Sequence, residues 1–385
     1  MAINRGSNYA VVAALVGLLG LIAPQPALAR TPDADVSGDN LDVTIRGVVP
    51  GANGRIALRP DGKVFATVSE AAVHQWSAAN GSRIGVPITG VDATVHAIEF
   101  STDGRLLAVA GNSGIVLWDP ATGKPSEPPL TGHTGAVRSV AFSADGRWVA
   151  TAGDDGTARL WDPATRRLVH TLTGHTGGVR TVTFSRDGKR LVTAGADNTV
   201  RLWLTATGKP IGSALTVNPG PVYATSFSPD GRLLAASGGD NVVRLWNPAT
   251  GTPVGEPLIA SSGPVYALTF SIGRKLLATA GGGDHTVELW NTTTRETIGA
   301  PLTGHVGPVR AMRFGRGGKF LATGSDDGTV RLWNTATGKP EAAPLIGHGK
   351  QVWALRISRS GNRLFTAGAD DKVRLWRITT GKAPA

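Results

Sequence analysis

Tryptophan recurs along this chain at a nearly fixed interval. Trp76, Trp118, Trp161, Trp203, Trp246, Trp290, Trp333 and Trp376 are 42, 43, 42, 43, 44, 43 and 43 residues apart. A second ladder runs in step: Leu58, Phe100, Phe142, Phe184, Phe227, Phe270, Phe314 and Ile357. Eight units in one register mean a repeat architecture rather than a string of unrelated domains. Each unit divides into short alternating apolar runs separated by turn residues, which is the signature of strands. In the third unit the runs are "VRSVAFS", "RWVATAG", "TARLWD" and "RLVHTLTG". The turns between them are rich in Asp and Gly, which tolerate unusual backbone angles and bond to nearby backbone.

Four strands in each unit of about 43 residues make one blade of a β-propeller. The expectation is therefore an all-β chain: a single β-propeller over residues 41–385 with eight four-stranded blades. The last unit runs out at "RLWRITTGKAPA" without a good final strand. The alternating "LDVTIRG" of residues 41–47 is expected to supply that strand from the N-terminal side. Such closure removes two exposed sheet edges.

Further residues carry a resemblance. "TGH" stands at 131–133, 173–175 and 303–305, with "IGH" at 346–348. "LWD" ends strands at 117–119 and 160–162, and "LWN" replaces it at 245–247, 289–291 and 332–334. On these motifs the chain resembles the WD-repeat β-propeller family, in the manner of an exported bacterial-type member. The resemblance implies a buried hydrogen-bonded set in each well-kept blade: His133, Thr151, Asp155 and Trp161, then His175, Thr193, Asp197 and Trp203. The later sets are His305, Thr323, Asp327 and Trp333, and His348, Thr366, Asp370 and Trp376. Units one, two, five and six lack the Gly-His, Asn112 replaces the Asp in the second, and Ala236 replaces the Thr in the fifth. Seven blades are commonest in the family, so seven is the alternative, with the weak first unit "GRIALRPDGKVFATVSEAAVHQW" as the one in question.

The residues give no sign of catalysis. The absence of cysteine excludes disulfides, thiolate metal sites and a thiol nucleophile. The Gly-His histidines fall one to a blade, and His74, His96, His170 and His285 show no ligand spacing. "DADVSGDNLD" at 33–42 opens like a calcium loop, but Thr44 stands where the bidentate Glu belongs. No G-x-S-x-G, phosphate loop or H-E-x-x-H occurs. The expectation is a non-enzymatic chain with no cofactor and no metal.

Residues 1–29 read as a secretory signal peptide. Arg5 precedes an apolar run over 9–23, Pro24 and Pro26 break it, and Ala27-Leu28-Ala29 makes an A-x-A cleavage site. The run is shorter than the roughly 18–20 residues needed to span a bilayer. Residues 30–40 read as a polar linker. The expected location is outside the cytoplasm, secreted or in the cell envelope. Removing Arg5 from a net charge of +11 leaves +10, which suits anionic envelope components as counterparts besides protein partners. No run of five or more Lys/Arg marks a nucleic-acid tail.

Function on a shared framework lies in what varies over the repeat. Four residues before the aromatic of each first strand stand Gly54, His96, Arg138, Arg180, Tyr223, Tyr266, Arg310 and Trp353. Both tyrosines beyond the leader are here, and so is one of the two tryptophans outside the ladder. Tyr, Trp and Arg dominate interface hot spots. His96, Arg138, Arg180, Tyr223, Tyr266, Arg310 and Trp353 are therefore the expected partner-binding residues on the top rim of the channel. In the competing reading they fill gaps between blades and solvate the rim. The Arg of "VRLW" (Arg201, Arg244, Arg331, Arg374) belongs to the repeat and reads as framework.

Overall fold

The computed structural model describes residues 36–37, 41–50, 55–69, 72–89, 94–217, 220–260 and 262–380. Its second strands, such as Leu107–Gly111, Val149–Gly153 and Leu276–Gly281, are buried at every position. A strand covered on both faces loses its polar alternation, which is why these runs consist of Ala, Val, Leu and Gly. The outermost strands keep one covered end, as in Arg83–Ile88, where only Ile88 is fully buried.

Antiparallel sheets of this kind repeat eight times. Their first strands contact one another in succession, and the eighth, Val352–Ile357, contacts the first, Ile56–Leu58. The outer strand of blade 5 is split into Thr252–Pro253 and Leu258–Ile259. In blades 6 and 7 it is held by single bridges such as Val287 to Leu302 and Val330 to Leu345. There is no α-helix among the described residues, and no helix is long and apolar enough to cross a membrane.

Eight apolar clusters lie between the blades, one to each junction. Blades 7 and 8, for example, share Leu332, Leu345, Val352 and Trp376, while blades 8 and 1 share Phe365, Leu375, Phe65 and Trp76. The Phe65 and Phe365 rings lie 5.2 Å apart across that last junction. The repeating Trp is thus a wedge between blades, and all eight are under a tenth exposed. Burying one contributes about 4–6 kcal/mol at most. Eight filled junctions fix the blade number at eight, and the weak first unit forms a full blade.

The expected closure is present. Leu41–Pro50 pairs antiparallel with Lys372–Thr380 from Leu41 opposite Thr380 to Pro50 opposite Lys372. Val36 and Ser37, in the segment read as a linker, bridge Val43 and Asp42. The signal-peptide reading of residues 1–29 and the cleavage site fall outside the described residues.

Candidate functional site: the top rim and the channel

In seven of the eight blades the first strand breaks its pairing at one place. In blade 3 Val137 pairs with Gly153 and Ser139 with Ala152, so Arg138 stands opposite no residue. The same shift leaves out His96, Arg180, Tyr223, Tyr266, Arg310 and Trp353. A β-bulge bends its strand and re-aims the extra side chain. The seven residues picked out by variation are therefore the seven bulged residues, while the first-blade position, Gly54, lies outside the described residues.

Their side chains are tied to one another. Arg138 reaches Asp154 Oδ2 through Nε at 2.8 Å and through Nη2, and Arg180 Nη1 reaches the other oxygen, Oδ1, at 3.0 Å. Arg138 Nη1 also lies against the His96 ring, 3.2 Å from Nε2 and 3.4 Å from Nδ1, and His96 Nε2 lies 2.7 Å from Asn112 Oδ1. Burial pulls His96 below the usual imidazole range, and Arg138 and Arg55 add to this against the Asn112 bond, so the ring is neutral. On the other side of the ring Arg310 donates to Asp326 Oδ2 from Nε at 2.9 Å and Nη2 at 2.7 Å. Its guanidinium lies 4.0 Å from the centroid of the Tyr266 ring, a cation–π contact. Tyr223 meets Tyr266 edge-on at 5.0 Å and is only 7% exposed, so its ring backs the rim. The other six are half-buried.

Below the rim each well-kept blade carries a hydrogen-bonded chain. In blade 3 Trp161 Nε1–H donates to Thr151 Oγ1 at 3.0 Å, Thr151 to His133 Nε2 at 2.8 Å, and His133 Nδ1–H to Asp155 at 2.9 Å. Blades 4, 7 and 8 repeat it through His175–Asp197, His305–Asp327 and His348–Asp370 at 2.8–3.0 Å. Burial lowers His133, His175 and His348 against the pull of their aspartates and keeps them neutral. Burial alone would raise the Asp155 carboxyl, but the bonds from His133 and Thr157 outweigh it and hold it below the usual range. Adjacent carboxylates thus divide the labour: Asp155 holds the blade together and Asp154 holds the rim. Blades 1 and 6 lack the His yet keep the Trp–Thr bond, Trp76 to Thr67 at 2.8 Å and Trp290 to Thr279 at 2.9 Å.

A family model described as "WD domain, G-beta repeat" matches seven segments: 85–119, 126–162, 166–203, 208–247, 251–291, 296–334 and 339–377. The chain is a WD-repeat protein. The matched segments begin within Arg83–Ile88, the outer strand of the first WD-repeat blade, and leave that blade's three inner strands unmatched. Among solved structures the chain is similar to a computationally designed protein, Ika8. The likeness spans 86% of this chain and 98% of that one, at 23% identity and a TM-score of 0.75, and speaks for the fold alone. No curated protein matches the chain.

The channel of this WD-repeat ring has a volume of about 630 Å³. His96, Arg310 and Trp353 of the rim border it, together with Arg55, whose Nε donates to the His96 carbonyl at 3.1 Å. Deeper in lie three residues that the sequence reading missed: Glu99, Arg313 and Arg356. They occupy the position just before the aromatic of each first strand, where the other units have Ala57, Ala141, Thr183, Ser226 and Thr269. Charge at that register in only three units was the available signal. Burial pushes the Glu99 carboxyl up to about 7 in spite of Arg356, the Phe142 backbone and Arg313. Burial and the neighbouring Arg356 bring Arg313 down to about 10. Among the described residues no group of three His, Cys, Asp or Glu is placed to hold a metal.

Proposed function

We propose that this WD-repeat protein is a non-enzymatic interaction platform that binds protein partners through the top rim of its channel. Propellers of the WD-repeat family commonly mediate protein interactions. The observation that carries the reading is the coincidence of bulge and composition. Six of the seven residues that leave the ladder in blades 2 to 8 are Arg, Tyr or Trp, the types that anchor interfaces. Their ties to Asp154, Asp326 and Tyr266 hold the rim in shape before binding, which lowers the ordering cost. A cationic arc (His96, Arg138, Arg180) and an aromatic arc (Tyr266, Arg310, Trp353) suit an extended partner with an acidic and an apolar segment. The leader-like residues 1–29 support a role outside the cytoplasm, in secretion or the cell envelope.

The test is affinity capture from the envelope fraction of the producing cell at moderate salt. A variant with Arg138, Tyr266, Arg310 and Trp353 changed to Ala is run in parallel. A discrete protein retained by the unaltered chain and lost by the variant is the expected result. Retention by both places the interface elsewhere on the ring, and retention by neither removes the platform reading. The alternatives to this reading are a propeller enzyme with a site on the axis and a binder of anionic wall polymer or membrane. The Glu99–Arg313–Arg356 cluster is the observation that bears on the axis.

A further inference from the structure

Glu99, Arg313 and Arg356 come from blades 2, 7 and 8 and share one channel. The exposed surface of Arg313 faces that channel and not the outside of the ring. Arg356 spends one donor on the Leu355 carbonyl at 3.0 Å. Neither guanidinium forms an ion pair within 4 Å among the described residues, although a carboxylate lines the same space. Glu99 acts on both from beyond ion-pair distance, and the two cations repel each other, so an anion placed between them would relieve a charge that one distant carboxylate only partly offsets. The rim arginines differ, since Arg138, Arg180 and Arg310 are partnered by Asp154 and Asp326. Arg55, Arg186, Arg310, Arg313 and Arg356 line the channel with one carboxylate, Glu99, among the lining residues, so the bore is cationic even with Arg310 offset by Asp326.

The facing wall has another character. Blade 4 lies opposite blade 8 and blade 5 opposite blade 1, and these contribute the half-buried hydroxyls of Thr183 and Ser226. Ala57, Ala141, Ala224, Ala267 and Ala354 keep the rest of the bore open. The volume falls within the roughly 300–1,000 Å³ typical of small-molecule sites.

We propose that the channel is a binding site for a small hydroxylated anion, its carboxylate or phosphate held by Arg313 and Arg356 and its hydroxyls by Thr183 and Ser226. The planar fork of a guanidinium suits either acid group bidentately. Glu99 competes with the ligand for the same two cations and so tunes affinity. The inference is independent of the rim reading, because none of these four residues belongs to the rim.

Titration calorimetry on the full chain tests it, with glucuronate and glucose 6-phosphate as the two acid classes and glucose and inorganic phosphate as part-probes. At least one sugar acid is expected to bind more tightly than either part-probe, and which one binds distinguishes carboxylate from phosphate. The double variant Arg313→Gln, Arg356→Gln is expected to weaken it tenfold or more. Changing Thr183→Val with Ser226→Ala is expected to weaken the sugar acid but leave inorganic phosphate unchanged. Glu99→Gln is expected to tighten binding at pH 8, and weaker binding there overturns its role as competitor. Should the double arginine variant lose its near-ultraviolet tryptophan signature, Arg356→Lys replaces it, keeping the charge without the fork. Absence of heat with every anion, or equal affinity in a folded arginine variant, overturns the site. Equal affinity for inorganic phosphate and glucose 6-phosphate overturns the part played by the hydroxyl wall.

Discussion

Asp154 bridges two blades: one carboxylate oxygen holds Arg138 of its own blade, and the other lies 3.0 Å from Arg180 Nη1 of the next. Its neighbour Asp155 has no part in this and serves His133, Thr134 and Thr157. Two consecutive aspartates therefore give opposite mutational outcomes. Asp155→Ala strands the His133 Nδ1–H and the Thr134 and Thr157 donors in a largely buried place, at a cost of about 2–4 kcal/mol. Asp154→Ala removes partly exposed ion pairs and costs about 1 kcal/mol or less. Denaturant midpoints of the two variants check the ordering.

Asp154→Ala should nonetheless be the more damaging to recognition. It frees Arg138 and Arg180 together and raises the rim charge by one. A partner captured by the unaltered rim should show a changed association rate and a changed salt dependence with this variant. Surface-binding kinetics at two ionic strengths read both.

Trp118 Nε1 is buried without a partner in blade 2, where Val109 occupies the place that Thr151 holds in blade 3. Putting a hydroxyl into a core normally destabilises it. Here Val109→Thr supplies an acceptor in the geometry seen for Trp76 and Thr67. The expected change is neutral to stabilising, by up to about 1 kcal/mol. A clear loss of stability would show that the blade 2 pocket differs in shape from its neighbours.

Glu99 and the buried histidines give opposed pH dependences. The folded-state value of Glu99 is raised to about 7 from an ordinary 4.5, so the folded chain holds the proton more tightly. That contribution is complete below about 4.5 and is lost as pH rises through about 7. His133, His175 and His348 are lowered, so theirs is present above the ordinary value of 6.5 and is lost as pH falls through their depressed values. The difference in stability between the unaltered chain and Glu99→Gln isolates the first effect. Relative to the variant, the unaltered chain should lose stability steadily between pH 4.5 and 7.

The repeat was legible because its signals are local and recur. A Trp every 42 to 44 residues gave the blade, the Gly-His, Thr, Asp and Trp spacing gave the buried chains, and "LDVTIRG" gave the closure. The rim register was also legible, since Arg138 and its counterparts break a repeat at one fixed position. The cause of that break, a bulge, was not, because it is defined by pairing across strands and not by residue type. Nor was the Asp154 bridge, which depends on how two blades sit side by side. The channel cluster was hardest of all. Glu99 and Arg356 are more than 250 residues apart and meet only because the ring closes. Variation among units at that inner register was visible, but an Ala-to-Arg change in one strand says nothing of what it faces.

The pairing of Leu41–Pro50 with Lys372–Thr380 makes blade 8 a joint product of the two extremities of the propeller. A chain emerging N-terminus first, from a ribosome or through a translocation pore, carries that leading strand without its mate until nearly all the rest has appeared. Until then the ten-residue edge is open to pairing with other chains. Assembly has a built-in completion check, since a copy cut short before residue 372 lacks the surface on which its own beginning must close. Such a copy is left as an open arc, with the Phe65–Phe365 junction unmade and the channel unwalled on one side.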